Sequence, residues 1–181
     1  MAKFYDKLTK RLQTFIKKQK IFFVATAPEE GRINLSPKGM DSLRVVNENR
    51  VLWLNVTGSG NETAAHLLAN PRITLMMCSF GSVPNILRIY GKGQAIHPGD
   101  ADWKEVVRLF PETPGTRQIF DIKVESAQTS CGMSIPFFDY KGEREALNDW
   151  AREKGEEGIQ KYWQDRNLIS IDGKPTGLEA N

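Results

Sequence analysis

Residues Val51–Phe80 read VLWLNVTGSGNETAAHLLANPRITLMMCSF, and this stretch decides the fold. Its first part alternates: Leu52, Leu54 and Val56 fall on one face and Val51 and Trp53 on the other, the two-residue period of a strand. Gly58-Ser59-Gly60 then turns the chain. From about Glu62 to Ala69 the residues Ala64, Ala65, Leu67 and Leu68 make the face of one short helix. Asn70-Pro71 ends it, because a residue before proline avoids helical geometry. Residues 73–80 are apolar and rich in strand formers. Strand, glycine turn, short helix, strand is therefore the expected order.

Outward from this unit, short strands dominate. Residues 21–27 and 32–36 flank the turn Pro28-Glu29-Glu30-Gly31 as a hairpin, which Pro37-Lys38-Gly39 interrupts. Further strands are expected near 43–46, 86–90, 92–96 and 120–128, with Gly91 and Gly93 marking a bulge or bend. Helices are expected over residues 100–110, with Asp100 as a possible N-cap, and over 143–164, with a break at Gly155 or Gly158. The chain from Ile169 onward reads as an extended tail. At the N-terminus, Phe4, Leu8, Leu12, Phe15 and Ile16 recur at helical spacing, with Lys3, Lys7, Lys10, Arg11, Lys17, Lys18 and Lys20 around them. The plain reading is a solvated basic face on a helix packed against the rest. The connections are too short for repeated βαβ units, so the expected class is mainly β with peripheral helices, an antiparallel barrel rather than a doubly wound sheet. The division follows: residues 1–20 an amphipathic helix, 21–140 the barrel, 141–181 C-terminal helices and tail of the same domain.

Composition narrows the function. A chain of 181 residues with 40% hydrophobic and 26% charged residues has the make-up of a soluble globular domain. A net charge of +3 is too slight to imply a nucleic-acid partner, and no aromatic residues interleave the basic helix face to stack on bases. Two histidines make a multi-histidine metal site improbable. Cys78 and Cys131 form no CxxC, and a reduced pair in the cytoplasm is plainer than a disulfide. No apolar run has the length of a membrane span.

Four segments can carry chemistry. The first is Thr57-Gly58-Ser59-Gly60-Asn61-Glu62-Thr63, where a strand runs through glycines into a helix start. Unpaired N–H groups and the helix dipole favour an anion there, and hydroxyls of Thr57, Ser59 and Thr63 can add donors. It is neither a dinucleotide fingerprint, which needs glycine at Thr63, nor a P-loop. A capping box of Ser59 and Glu62 explains the same residues without a ligand. The second segment, Ile33-Asn34-Leu35-Ser36-Pro37-Lys38-Gly39, ends in a lysine that either meets an anion or is solvent-exposed. The third places Arg88 inside an apolar strand, opposite to Leu87 and Ile89, as an exterior charge, an interface charge or a ligand contact. The fourth, Thr129-Ser130-Cys131-Gly132, offers a thiol with no adjacent base.

These segments, in this order, resemble the pyridoxamine 5′-phosphate oxidase-like superfamily of split barrels, from about Ile21 to Phe138. The run through Cys131-Gly132, Pro136-Phe137-Phe138, Gly142-Glu143-Arg144 and Trp150 is similar to its flavin-nucleotide-binding branch. The resemblance implies an antiparallel split β-barrel, a homodimer, and FMN at the subunit interface. Asn34, Leu35, Ser36, Pro37 and Lys38 would lie along the flavin, Val56 and Thr57 would line it, and Gly60, Asn61, Glu62 and Thr63 would meet its phosphate. Arg88 is a further candidate contact. Cys131 and Gly132 would approach from the partner subunit. Lys38 would then polarise the ring. Asn61-Glu62-Thr63 stands where pyridoxamine-phosphate oxidases carry Ser-Arg-Lys, so two cations are missing. The family's glutamine matches Ile86 and its flavin-contacting tryptophan matches Cys131. Its substrate signatures are absent from residues 108–118 and from the end of the chain, so oxidation of pyridoxamine phosphate is not expected. The implied function is an FMN-dependent oxidoreductase on an unidentified small molecule, or a non-catalytic flavin carrier, sensor or stress protein. A deazaflavin or haem is used elsewhere in the superfamily.

Overall fold

The computed structural model describes residues 2–179. In chain order its elements are β1 (Lys3–Tyr5), α1 (Lys10–Lys18), β2 (Phe22–Thr26), β3 (Asn34–Lys38), β4 (Leu43–Asn47), β5 (Arg50–Val56), α2 (Glu62–Ala69), β6 (Arg72–Cys78), β7 (Ile86–Ile96), α3 (Trp103–Val107), β8 (Thr116–Ser130) and α4 (Ala146–Arg166). The strands form one antiparallel sheet in the order β3-β2-β6-β7-β8-β5-β4, with β1 beside β8. The path curls into a barrel that stays open between its end strands β3 and β4, an antiparallel split barrel.

β8 is the hinge of this topology. Along one edge it pairs with β7 from Ile119 to Ser130. Along the other it pairs first with β5 and then with β1. The β7–β8 register shifts between Tyr90 and Gly91. There the two backbones touch: a Cβ on Gly91 would lie 2.3 Å from the Lys123 carbonyl oxygen. Only glycine permits that approach.

The barrel interior is filled by Val24, Val51, Leu75, Leu87, Ile89 and Phe120 together with Trp53, which stacks on Phe120 at 4.7 Å and meets Phe22 edge-on. Leu8, just before α1, and Leu12 and Ile16 on it join this core. A second cluster, Leu52, Leu54, Ile96, Val106, Phe110 and Ile119, lies under α3. A third joins Ala151, Ile159 and Trp163 of α4 to Leu178.

Several expectations shift. The N-terminal helix begins at Lys10, capped by Thr9, whose hydroxyl accepts from the Leu12 N–H. Phe4 belongs to β1 instead and is exposed, because pairing with β8 offers its backbone partners that a helix start would lack. β3 runs through Pro37, which pairs with Phe23. An edge strand tolerates a proline whose missing N–H would face away from its only neighbour. The two expected strands around Gly91 are one strand with a bulge. α3 covers only Trp103–Val107; Asp100 accepts from the His97 N–H rather than capping it. β8 starts before the expected Phe120, and α4 breaks at Gly155, where φ is 65°. The tail folds back on itself through an Ile169–Pro175 bridge.

Candidate functional site

The turn after β5 is built from its surroundings inward. Thr57 is buried and its hydroxyl is spoken for: it donates to the Gly115 carbonyl at 2.8 Å and accepts from the Trp163 indole N–H at 2.7 Å. It therefore anchors α4 rather than facing a ligand. Asn61, not Ser59, is the N-cap residue of α2, and its side chain makes no capping bond. The capping-box alternative fails, since Glu62 becomes the first helical residue instead of the third. Asn61 exchanges amide hydrogen bonds with buried Gln118, the shorter at 2.6 Å. The Glu62 carboxylate accepts from the Ile171 N–H at 3.1 and 3.2 Å, so it holds the tail.

What these contacts leave over is a run of donors. Among the described residues, nothing accepts from the backbone N–H groups of residues 58–63. A Cβ on Gly58 would meet nothing within 4 Å, so space lies beside the turn. Thr63 accepts from Asn34 Nδ2 at 3.1 Å, which ties β3 to the helix start. Consecutive unpaired N–H groups at a helix start are an anion cradle.

Two cations lie on the inner side: Arg117, which donates to the Gly60 carbonyl, and Lys38, four residues along β3 from Asn34, the residue that donates to Thr63. Lys38 projects inward from β3, its ammonium 5.2 Å from the Trp53 ring centroid. Burial, and then repulsion from Arg117, pull its pKa down to about 8. Arg117, at the start of β8, is 2% exposed, and burial draws its pKa down to about 10. Among the described residues neither cation forms an ion pair. Arg117 escaped sequence analysis because the expected strand began three residues later. The available signal was a polar pair, Arg117-Gln118, leading directly into an apolar strand.

The remaining candidate residues divide by strand alternation. Asn34, Ser36 and Lys38 share the inward-facing side of β3, while Leu35 and Pro37 face out and are exposed. Pro37, Phe23, Met76, Arg88 and Gln128 lie in one row across the outer face. Arg88 there donates to Ser130 Oγ at 3.2 Å. Val56 closes β5 beside Thr116. Cys131 is exposed and Gly132 packs against Asn85, where a Cβ would lie 2.9 Å from its nitrogen. Both follow the far end of β8, the length of that strand away from Thr116, so one protomer does not bring them to the turn. A cleft of about 1570 Å³ opens beside Pro37 and Lys38, with Phe15, Phe80, Phe138 and Tyr140 among its walls. His66 is buried against Thr26 Oγ1 at 3.0 Å.

Comparison with known proteins matches this architecture. The family model described as pyridoxamine 5′-phosphate oxidase matches residues 8–131. The chain belongs to the pyridoxamine 5′-phosphate oxidase family. It is 32% identical over 200 residues to the pyridoxamine 5′-phosphate oxidase family protein ustO of Aspergillus flavus, covering 99% of this chain and 79% of that protein. Among solved structures, HupZ of Group A Streptococcus superposes with a TM-score of 0.53 at 18% identity, over 65% of this chain and 89% of that one. The heme storage protein HutZ of Vibrio cholerae gives 0.51 at 18% identity, over 70% and 98%. At such identities the structural likeness bears on the split-barrel fold of this family member and no further. Among its described residues no helix is long and apolar enough to cross a membrane.

Proposed function

We propose that this family member binds FMN, with the ribityl phosphate on the amides of residues 58–63, and acts as an oxidoreductase on a small molecule. The observation that carries the proposal is the run of amides without acceptors, backed by Arg117 at the Gly60 carbonyl and with Lys38 farther along β3, neither cation having a carboxylate partner among the described residues. A phosphomonoester fits both features, since it brings three acceptor oxygens and close to two negative charges. Ser36 and Lys38 face the same side as Asn34, which is tied to the helix start. A flavin extending from the phosphate along β3 would therefore pass beside the Lys38 ammonium. When bound, the flavin supplies hydride or electron transfer, while the protein supplies binding, orientation and charge near the ring.

A second copy of the chain would complete the site. Ile33 and Leu35 at β3, and Met133, Phe137 and Phe138 beyond β8, are exposed apolar residues, and burying such surface favours association. Cys131 and Gly132 of a partner subunit could then approach a flavin that the same residues of one protomer do not reach. The reading of the protein as a flavin carrier or sensor without turnover draws on a separate observation. Glu62 is committed to the tail and Thr57 to Trp163, so neither offers a free side chain for proton transfer beside the turn. A haem reading draws nothing from His66, which is buried and already bonded.

The test is the absorbance spectrum of the purified protein, followed by titration with FMN and then by anaerobic addition of NADH or NADPH. Bound flavin that is reduced supports the oxidoreductase; bound flavin that no donor reduces supports the carrier. Protein that is colourless and takes up no FMN refutes both.

A further inference from the structure

Arg117 presents a physical problem that its place in the fold does not solve. Its guanidinium is buried, and among the described residues every acceptor around it is neutral. Asn55 Oδ1 accepts from Nε at 3.2 Å and from Nη2 at 2.7 Å. Asn167 Oδ1 and the Gly60 carbonyl accept from Nη1 at 2.7 and 3.2 Å. Among the described residues, hydrogen bonds are thus provided and counter-charge is not. A buried ion without an opposite charge is expensive to keep, and apolar replacement is often the more stable arrangement. Nothing in the packing of this region asks for a cation.

One of those acceptors belongs to the turn. A peptide unit is planar and trans, so its carbonyl and its N–H point in opposite directions. Holding the Gly60 carbonyl inward on Arg117 therefore turns the Asn61 N–H outward. Asn167 does the same one step earlier: its Nδ2 donates to the Gly58 carbonyl at 3.1 Å, which turns the Ser59 N–H outward. Gln118 pins the Asn61 side chain from the same strand. The network formed by Asn55, Arg117, Gln118 and Asn167 thus orients the cradle and leaves a full positive charge immediately behind it. The turn itself contributes no cationic side chain, and its only ionised residue, Glu62, has the wrong sign for an anion.

We propose that Arg117 is the positioning residue and buried counter-charge of the anion cradle: it aims the amides of the turn and supplies, from behind the backbone, the positive potential for a phosphate that the turn's own side chains lack. The proposal rests on the reading of the turn as a phosphate site. It goes beyond that reading by assigning phosphate selectivity to a residue that touches no ligand. A dianion seated on the outward amides would lie about two bond layers from the guanidinium, a separation at which unit charges in a protein interior still interact strongly.

The test compares FMN with riboflavin, which has the same ring and ribityl chain but no phosphate, by quenching of flavin fluorescence in wild type, Asn55→Asp and Arg117→Gln. Asn55→Asp is the decisive variant. It is isosteric, its Oδ1 already accepts from two guanidinium nitrogens, and no described acceptor takes the Asn55 Nδ2 that it replaces. It neutralises Arg117 in place while keeping its hydrogen bonds. The expected result is folded protein with at least wild-type thermal stability, riboflavin affinity within about twofold of wild type, and an FMN-over-riboflavin preference reduced about tenfold or more. Arg117→Gln should lower the same preference, and Arg117→Lys should restore part of it. A preference unchanged in Asn55→Asp overturns the assignment. So does equal loss of FMN and riboflavin in the Arg117 variants, which marks a purely structural arginine. If wild type itself binds FMN no better than riboflavin, the phosphate site fails and the proposal falls with it, a result visible before any variant is measured.

Discussion

Replacing Lys38 by methionine should stabilise the ligand-free protein and weaken its hold on FMN. The ammonium lies against Trp53 with no carboxylate partner among the described residues, and burial followed by repulsion from Arg117 lowers its pKa from 10.5 to about 8. That difference of about 2.5 units corresponds to about 3 kcal/mol of destabilisation for as long as the folded protein carries the charge. Methionine has similar length and no charge. It forfeits the ammonium–ring attraction, about 0.5–2 kcal/mol, so a net gain of about 1–2.5 kcal/mol at pH 7 is expected. The pH dependence identifies the cause. The folded pKa is depressed, so between about pH 8 and pH 10.5 the unfolded chain holds more protons at this site than the folded one, and wild-type stability rises with pH across that window. Below it the penalty is present in full; above it the penalty is gone. Urea unfolding of both proteins, without ligand, at pH 7 and near pH 10.5 measures this, and groups common to the two proteins cancel in the difference. The variant should lead at pH 7 and lose that lead at the higher pH. A less stable variant at pH 7, or an advantage independent of pH, would refute the picture of a desolvated, unpaired lysine.

Three further outcomes follow from the same geometry. FMN affinity should be greatest between the second ionisation of its phosphate, near pH 6, and the deprotonation of Lys38 at about 8, and should fall above that; titrations with riboflavin should show no rise through the phosphate ionisation. Gly91→Ala places a Cβ 2.3 Å from the Lys123 carbonyl, and the forced separation of β7 from β8 should cost about 1–3 kcal/mol or more, read as a lower unfolding midpoint or loss of soluble protein. Glu62→Gln keeps the shape at the helix start but removes a negative charge beside the amides, so FMN affinity should rise about two- to fivefold, while the weaker bond to the Ile171 N–H should speed limited proteolysis within residues 169–175. Unchanged affinity and cleavage would mean that Glu62 neither opposes the anion nor holds the tail.

Local pattern carried the central unit well. The alternation of β5, the glycine turn, the stop of α2 at Asn70-Pro71 and, apart from exposed Leu68, its apolar face all depend on near neighbours in the chain and stand in the structure. The family and the split-barrel class were legible for the same reason, as an ordered series of such units. Expectations failed where a distant partner outweighed local spacing. Phe4 fits a helical face, yet its backbone pairs with β8. Pro37 looks like an interruption, yet β3 has a neighbour on one side only, so the strand passes through it. Ser59 and Glu62 spell a capping box, yet Glu62 reaches the tail and Asn61 starts the helix.

By itself, then, the sequence determined where the donors are: a glycine-bearing turn entering a helix start, at Thr57–Thr63, with Lys38 as a candidate cation. Only the tertiary structure decided which groups remain free to act. It committed Thr57 to Trp163 and Glu62 to the tail, separated Leu35 and Pro37 from Asn34, Ser36 and Lys38, and brought Arg117 under Gly60. The physical reason is separation along the chain. The turn's amides are left unpaired by short-range geometry, whereas the Arg117 contacts to Gly60, Asn55 and Asn167 span 57, 62 and 50 residues and exist only once β5, β8 and α4 have packed together.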